Sequence, residues 1–91
     1  MLALTRKLEE RLLIGSNIEL TVKEINSSYV RLCVNDSGNI TVGKLANVII
    51  ADGVKITVRK INKGQVKLGI RAPGSMAINR PLGGEAPISI F

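Results

Sequence analysis

The stretch KITVRKINKGQVKLGI, residues 55–70, has a counterpart in ELTVKEINSSYVRLCV, residues 19–34, which lies 36 positions earlier in the chain. In both stretches apolar and polar residues alternate on either side of a short polar segment, NKG in one and NSS in the other. Alternation with a period of two is typical of half-buried strands, and the polar segment is typical of a turn. Each stretch therefore predicts a β-hairpin.

The repeat extends beyond the two hairpins, because the same offset aligns residues 14–44 with residues 50–80 without a gap. An internal duplication explains the shared spacing and the shared identities together. Each unit alone is too small to bury its apolar face, so two units must pack against one another. The sequence therefore predicts one compact all-β domain with pseudo-two-fold symmetry over residues 1–80, built from repeats 1–44 and about 45–80. Identical residues occur at Ile14/Ile50, Thr21/Thr57, Val22/Val58, Ile25/Ile61, Asn26/Asn62, Val30/Val66, Leu32/Leu68 and Gly38/Gly74.

Further short strands are predicted around the hairpins, giving a sandwich or barrel of about nine or ten strands. MLALTRK, residues 1–7, predicts a first strand; RLLI and NVII precede the hairpins, and NITV and MAIN follow them. The segment LTRKLEERLL, residues 4–13, also fits the 3.6-residue period of an amphipathic helix, which stays open as an alternative. The prolines and glycines of the last segment, PLGGEAPISIF at residues 81–91, disfavour a C-terminal helix. This segment is therefore predicted to be a tail.

Composition argues against several classes of protein. Cys33 is the single cysteine and there is no histidine, which excludes an intrachain disulfide and the usual zinc ligands. No nucleophile–base pair and no phosphate-cradling glycine loop is recognisable, so neither an enzyme nor a cofactor is expected. The first 15 residues are too short and too charged for a signal peptide, and no apolar run would span a membrane. A cytoplasmic protein without a membrane partner is expected.

The net charge of +6 is unevenly distributed along the chain. Residues 1–43 carry five basic and five acidic groups, whereas residues 44–91 carry eight basic and two acidic groups. A basic surface of this kind favours a polyanionic partner, most simply a nucleic acid, over a neutral one. A solvated basic exterior would give the same charge.

The opening residues and the second hairpin together resemble a known family. MLALTRK, followed by IG at residues 14–15 and VRL at residues 30–32, is similar to the start of the carbon storage regulator family, CsrA/RsmA. GQVKLGIRAP, residues 64–73, resembles the hairpin of that family and its Ala-Pro loop. The resemblance covers one nearly complete unit in the first repeat and strands two to five of a second unit.

The resemblance implies an RNA-binding regulator. Family members are small homodimers in which strands one and five interlock with those of the partner, and each RNA site combines strand one of one subunit with strand five of the other. They bind GGA motifs in messages, and small RNAs or protein antagonists regulate them. They repress translation or alter message stability. This duplicated chain resembles such a dimer in one polypeptide, so a monomer is expected, and a swapped homodimer stays open.

The resemblance also implies which residues bind RNA. Arg6 and Arg80 have the chemistry to neutralise phosphates and to hydrogen-bond guanine edges. Exposed strand main chain would read bases without the aromatic platform that this sequence lacks. The predicted RNA-binding residues are Leu4, Thr5, Arg6 and Lys7 in strand one, Ala72 and Pro73 in the loop, and Met76, Ala77, Ile78, Asn79 and Arg80 in and after strand five.

The second of the two sites is predicted to be degenerate. Val42 stands at the place of Arg6, and Asp36 and Ser37 replace the Ala-Pro pair. Only Lys44 remains at the place of Arg80, and lysine lacks the planar guanidinium fork. One intact RNA site is therefore expected. Glu9 stands where the family commonly has glycine, which leaves the geometry of the first turn open.

Two function classes remain after the sequence analysis. One is an RNA-binding post-transcriptional regulator, which the retained arginines favour. The other is a degenerate CsrA-like protein that acts as a protein-interaction module and modulates a true regulator. The target messages and the role of residues 81–91 cannot be read from the sequence.

Overall fold

Residues 2–79 of the chain, as described by a computed structural model, form nine β-strands and no helix. The predicted all-β fold of about nine strands is confirmed. Among these residues there is accordingly no helix that could span a membrane. The prediction that residues 81–91 lack a helix lies outside the described residues. The strands are β1 (Leu2–Lys7), β2 (Arg11–Ile14), β3 (Ile18–Ile25), β4 (Tyr29–Val34), β5 (Asn39–Gly43), β6 (Asn47–Ala51), β7 (Val54–Asn62), β8 (Gln65–Arg71) and β9 (Ile78–Asn79).

The strands form two antiparallel sheets that each contain both halves of the chain. The four-stranded sheet has the order β1-β8-β7-β6, and the five-stranded sheet has the order β5-β4-β3-β2-β9. The first strand, β1, thus pairs with β8 of the second repeat, and the last described strand, β9, pairs with β2 of the first repeat. The two repeats exchange strands at opposite ends of the chain.

The core between the sheets is almost entirely aliphatic. Alternation along each strand sends one set of side chains inward, as the sequence pattern predicts. Burying one such side chain completely contributes about 1.5–3 kcal/mol to folding. The buried apolar cluster comprises Leu4, Leu12, Ile14, Leu20, Val22, Val30, Leu32, Val42, Val54, Ile56, Val58, Val66, Leu68 and Ile70.

The two central hairpins have the same register and the same irregularity. A β-bulge follows Val22 in the first hairpin and Val58, its counterpart 36 positions later, in the second. The duplication is therefore preserved in the strand pairing as well as in the sequence. Directly opposed pairs that match between the hairpins are Leu20↔Val34 with Ile56↔Ile70, and Val22↔Leu32 with Val58↔Leu68.

The turn that follows the first strand of each repeat has a left-handed residue in both copies. Glu9 has φ 67° and Leu45 has φ 66°. The Glu9 N–H donates to the Val22 carbonyl at 2.7 Å, and the Leu45 N–H donates to the Val58 carbonyl at 2.8 Å. This conformation favours glycine, and a residue with a side chain there destabilises the fold by roughly 1–2 kcal/mol. Glu9 and Leu45 each adopt it nevertheless.

The helical alternative for residues 4–13 is wrong. This segment contributes the end of β1, a turn over residues 8–10, and the start of β2. Leu4 and Leu12 reach the core from two different strands, whereas Leu8 is 53% exposed in the turn. A helix would have placed all three leucines on one buried face.

The two repeats differ after the central hairpin of each, β3–β4 in the first and β7–β8 in the second. β5 pairs with β4 in the register Ile40↔Leu32, which matches the pairing of β1 with β8 at Leu4↔Leu68. Residues 39–43 therefore occupy the place of a first strand of the second repeat. Among the described residues no strand pairs with the outer side of β6, where the Ile49 side chain is 71% exposed.

The loop sequences give the physical reason for this difference. Asn35 and Asp36 adopt φ angles of 53° and 55°, so the chain reverses at once and β5 returns along β4. At the matching positions Arg71 ends β8 and Ala72 precedes Pro73, whose ring fixes its own φ near −65° and favours extended backbone before it. The second copy therefore does not reverse there, and its chain continues to the other sheet as β9.

We expect Leu45→Gly to raise the free energy of unfolding by about 0.5–1 kcal/mol, because glycine relieves the left-handed strain and loses little packing. Leu45 is 72% exposed, so the lost contacts are few. Urea denaturation measures the change. Leu45→Ala is the matched control and should give no gain, since alanine keeps the Cβ atom; a glycine variant less stable than the alanine variant would contradict the strain.

Candidate nucleic-acid interface

The candidate interface combines two sheet edges, one from each end of the chain. β1 forms the edge of the four-stranded sheet and β9 forms the edge of the five-stranded sheet. A turn over residues 8–10 connects β1 directly to β2, and β2 carries β9 on its outer side. The two edges thus lie on the same side of the molecule.

The strand-one residues divide into inward and outward side chains. Leu4 is 4% exposed and belongs to the core, and Arg6 is 9% exposed, whereas Thr5 and Lys7 are exposed. Only Thr5 and Lys7 of this predicted set therefore present side chains to solvent. Leu4 would contribute to an interface through its main chain.

Arg6 connects β1 to the following turn through its guanidinium group. Its Nε donates to the Thr5 carbonyl at 2.9 Å and its Nη1 donates to the Arg11 carbonyl at 3.0 Å. The Glu10 carboxylate lies 3.7 Å from Nε. The guanidinium group therefore holds two segments of main chain together, and its prediction as an RNA ligand stays a prediction.

Glu10 fixes the end of the β1 edge. Its Oε1 accepts a hydrogen bond from the Lys7 N–H at 2.8 Å, and its own N–H donates to the Lys7 carbonyl at 3.0 Å. Both main-chain groups of Lys7 are thus bonded within the turn. Sequence reasoning missed Glu10, although its spacing of three residues from Lys7 is that of a tight turn.

The loop between β8 and β9 is fixed by hydrogen bonds at both ends. The Met76 N–H donates to the Pro73 carbonyl at 2.9 Å, and the Gly15 N–H donates to the Ala77 carbonyl at 2.7 Å. Pro73 and Ala77 are exposed, while Ala72 and Met76 are half-buried. The loop therefore presents its surface in one defined conformation.

Two turn glycines receive this loop, and sequence reasoning missed both. A Cβ atom on Gly15 would lie 3.5 Å from Met76 Cγ, and one on Gly53 would lie 3.4 Å from Pro73 Cγ. Both glycines also have positive φ, at 65° and 77°. The sequence did carry a signal for these two positions, because a glycine stands in the turn after β2 and in the turn after β6.

The last described strand places Ile78 and Asn79 half-buried against β2, in the pairs Ile14↔Ile78 and Leu13↔Asn79. The side-chain oxygen of Asn79 is buried and finds no hydrogen-bond donor within residues 2–79. Arg80 lies outside the described residues, so its position beside this strand stays a prediction.

The pseudo-symmetric place on the other side of the molecule is built differently. Val42, at the place of Arg6, is buried and offers no hydrogen-bonding group. Lys44 is exposed and follows β5, so by register it matches Leu8. Within residues 2–79 no group of Cys, Asp or Glu side chains is arranged to hold a metal ion at either place.

Comparison with known proteins assigns the chain to a family. The family model CsrA, described as a global regulator protein family, matches residues 1–44 and again residues 43–81. The chain belongs to the CsrA family. The first match includes all of β5, and the second begins at the last residue of that strand, Gly43.

Curated relatives match one unit of this CsrA-family chain. Two proteins named "Translational regulator CsrA", from Clostridium botulinum strains ATCC 19397 and Kyoto, are each 43% identical to it over 42 residues. The match covers 46% of this chain and 58% of each relative, so the chain spans less than two thirds of the relatives' length. No solved structure matches the chain significantly.

We expect Arg6→Ala to lower the free energy of unfolding by about 1–3 kcal/mol, because it leaves the partly buried Arg11 carbonyl without its donor. Thermal or urea denaturation measures the loss. Lys7→Ala is the matched control on the same strand, and as an exposed side chain it should change stability by less than about 0.5 kcal/mol. Equal stability of the two variants would show that the Arg6 contacts contribute nothing to the fold.

Proposed function

We propose that this CsrA-family chain is an RNA-binding post-transcriptional regulator of the cytoplasm. It would recognise GGA-containing hairpin loops or leader segments of messages and small RNAs, and thereby repress translation or alter message stability. The observation that carries the proposal is that β1 of the first repeat and β9 of the second lie on one side of the molecule. One chain thus supplies both halves of the kind of site that the family resemblance implies.

The proposed site would work through main chain and a few exposed side chains. Thr5 and Lys7 on β1 and Pro73 and Ala77 beside β9 are exposed to a ligand. Arg80 would supply a guanidinium fork for a guanine edge or a phosphate. Arg6 would act mainly by holding β1 against the Arg11 carbonyl, which keeps the edge in position.

A single site per chain is proposed, because the opposite side lacks the corresponding groups. Val42 replaces Arg6 there, and within residues 2–79 no strand lies along the outer side of β6. Lys44 would provide a weaker positive charge at that place. The proposed stoichiometry is one RNA per chain.

A protein-interaction module that modulates a true regulator is the second candidate function. The observation that favours it is a pair of exposed apolar residues, Ile49 on β6 at 71% and Leu45 just before it at 72%, at an edge with which no strand of residues 2–79 pairs. An edge strand without charged residues is a template for pairing with another chain. Absence of specific RNA binding would favour this candidate.

The RNA proposal is tested by titrating the chain with a short hairpin that carries GGA in its loop and with the same hairpin carrying a scrambled loop. We expect preferential binding of the GGA hairpin at one RNA per chain. Arg80→Ala should weaken it by about 1–3 kcal/mol, or roughly 5- to 150-fold, because a guanidinium–guanine contact is of that size.

Lys23→Ala is the matched control, since Lys23 lies on the five-stranded sheet and pairs with Glu9 at 3.2 Å. It should leave the affinity for the GGA hairpin nearly unchanged. Equal affinity for both loops, or an equal effect of the two substitutions, would contradict the proposed site.

The chain should be a monomer of 9.8 kDa in solution, because the exchanged strands find their partners within one polypeptide. Light scattering across a range of protein concentrations measures the mass. A stable mass of twice this value would instead support a swapped homodimer, with two sites per assembly.

A further inference from the structure

The outer face of the four-stranded sheet carries like charges directly opposite one another. Lys60 on β7 faces Lys67 on β8, and Lys55 on β7 faces Arg71 on β8. Directly opposed residues of antiparallel strands have Cβ atoms about 4.5–5.5 Å apart, and like charges at this distance are destabilising. The face therefore holds four cations in an arrangement that weakens the fold.

The matching face of the five-stranded sheet is neutralised. Arg31 Nη1 lies 2.9 Å from Glu24 Oε1, and Arg11 Nη1 lies 3.1 Å from Glu19 Oε2. Lys23 Nζ likewise lies 3.2 Å from Glu9 Oε1. The first repeat thus pairs its surface cations with carboxylates.

The two faces differ by charge reversal at matching positions. At an offset of 36, Lys60 stands where Glu24 stands in the first repeat, and Lys55 stands where Glu19 stands. Lys67 keeps the charge of its counterpart Arg31. At Lys60 the reversal converts the cross-strand attraction of Glu24 and Arg31 into repulsion, and at Lys55 it places a cation opposite Arg71, so fold stability does not explain either change.

This basic face, defined by Lys55, Lys60, Lys67 and Arg71, continues into the edge proposed to bind RNA. Thr5 on β1 lies directly opposite Lys67. A groove of about 190 Å³ beside it is lined by Thr5, Lys60, Asn62, Gln65 and Lys67. A strand of RNA leaving the β1 edge would enter this groove first.

The spacing of the charges suits a polymer rather than a small anion. Lys67 and Arg71 are four residues apart on β8, which separates the two cationic pairs by about 13 Å along the strand. One phosphate reaches only one pair, whereas a nucleic acid backbone spans both. Between the two pairs Thr57 lies opposite Gly69, and neither residue carries a charge.

We propose that the basic face binds the phosphates of RNA that lies beyond the segment held at the β1–β9 edge. The inference rests on the proposed function and extends it to a second, adjoining contact surface. No aromatic side chain of residues 2–79 lies on this face, so its binding is expected to be independent of base sequence. Its role is to favour RNAs with single-stranded flanks over isolated hairpins.

The test compares the short GGA hairpin with the same hairpin carrying about ten unpaired nucleotides on each side. The double variant Lys60→Gln/Lys67→Gln removes two charges and keeps the length of the side chains. We expect the flanks to strengthen binding to the natural protein about tenfold, and this gain to be lost in the variant. Affinity for the short hairpin should change less than about threefold.

Salt dependence gives an independent readout. For the flanked RNA, the slope of log affinity against log salt should fall in magnitude by about 1.4 in the double variant, since each lost contact to single-stranded nucleic acid contributes roughly 0.7. Glu24→Gln/Arg31→Gln on the five-stranded sheet is the matched control and should leave both RNAs unaffected. Denaturation should show the lysine variant to be at least as stable as the natural protein, because a repulsive pair is removed.

The outcomes separate this inference from the proposed function. If the hairpin binds specifically but the flanks add no affinity, RNA binding by the basic face is wrong and the proposed site at the β1–β9 edge stands. The same conclusion follows if the lysine variant loses equal affinity for both RNAs. If flanked RNAs bind through Lys60 and Lys67 without preference for GGA, phosphate binding by the basic face is supported and GGA recognition at the edge is wrong. Displacement of the flanks by polyglutamate as effectively as by RNA of equal charge overturns the assignment to RNA.

Discussion

Strand exchange between the two repeats is the constraint on which the rest of the structure depends. β8 needs β1 on its outer side and β2 needs β9, and each of these partners comes from the other half of the chain. Neither repeat has enough apolar surface of its own for an independent core, and both contribute to one aliphatic cluster. A covalent connection makes the exchange intramolecular, so no encounter of two chains is needed to form it.

The same exchange decides where a ligand surface can form. A strand at the edge of a sheet presents unpaired main-chain groups, and exchange makes β1 the edge of one sheet and β9 the edge of the other. The other pair of edges is unequal, because residues 39–43 cannot pair with β4 and with β6 at once. Asn35 and Asp36 direct that segment back along β4, so the two sides of a duplicated molecule became structurally different.

The surface charge also differs between the two sheets. The five-stranded sheet balances Arg31 with Glu24 and Arg11 with Glu19 on its surface. The four-stranded sheet places Lys60 directly opposite Lys67. Since exposed ion pairs contribute little to stability, this difference affects folding weakly and long-range attraction of anions strongly. The basic half of the sequence thus becomes a basic face of the molecule.

Much of this architecture was predictable from local pattern. Period-two alternation and the offset of 36 predicted the two hairpins and an all-β fold, because side-chain direction in a strand depends only on position. The family resemblance predicted Thr5, Lys7, Pro73 and Ala77 as RNA-binding residues; all four are exposed, and their role stays a prediction. The choice between helix and strand for residues 4–13 could not be made locally, since leucines at that spacing fit either.

The sequence by itself determined the repeat, the inward face of each hairpin and the excess of positive charge. Only the tertiary structure decided that Arg6 turns inward to the Arg11 carbonyl, that residues 39–43 pair as a first strand, and that β6 has no outer neighbour among the described residues. The reason is physical: a sequence pattern specifies which face of a strand is buried, but which strand lies beside it depends on contacts between residues far apart in the chain.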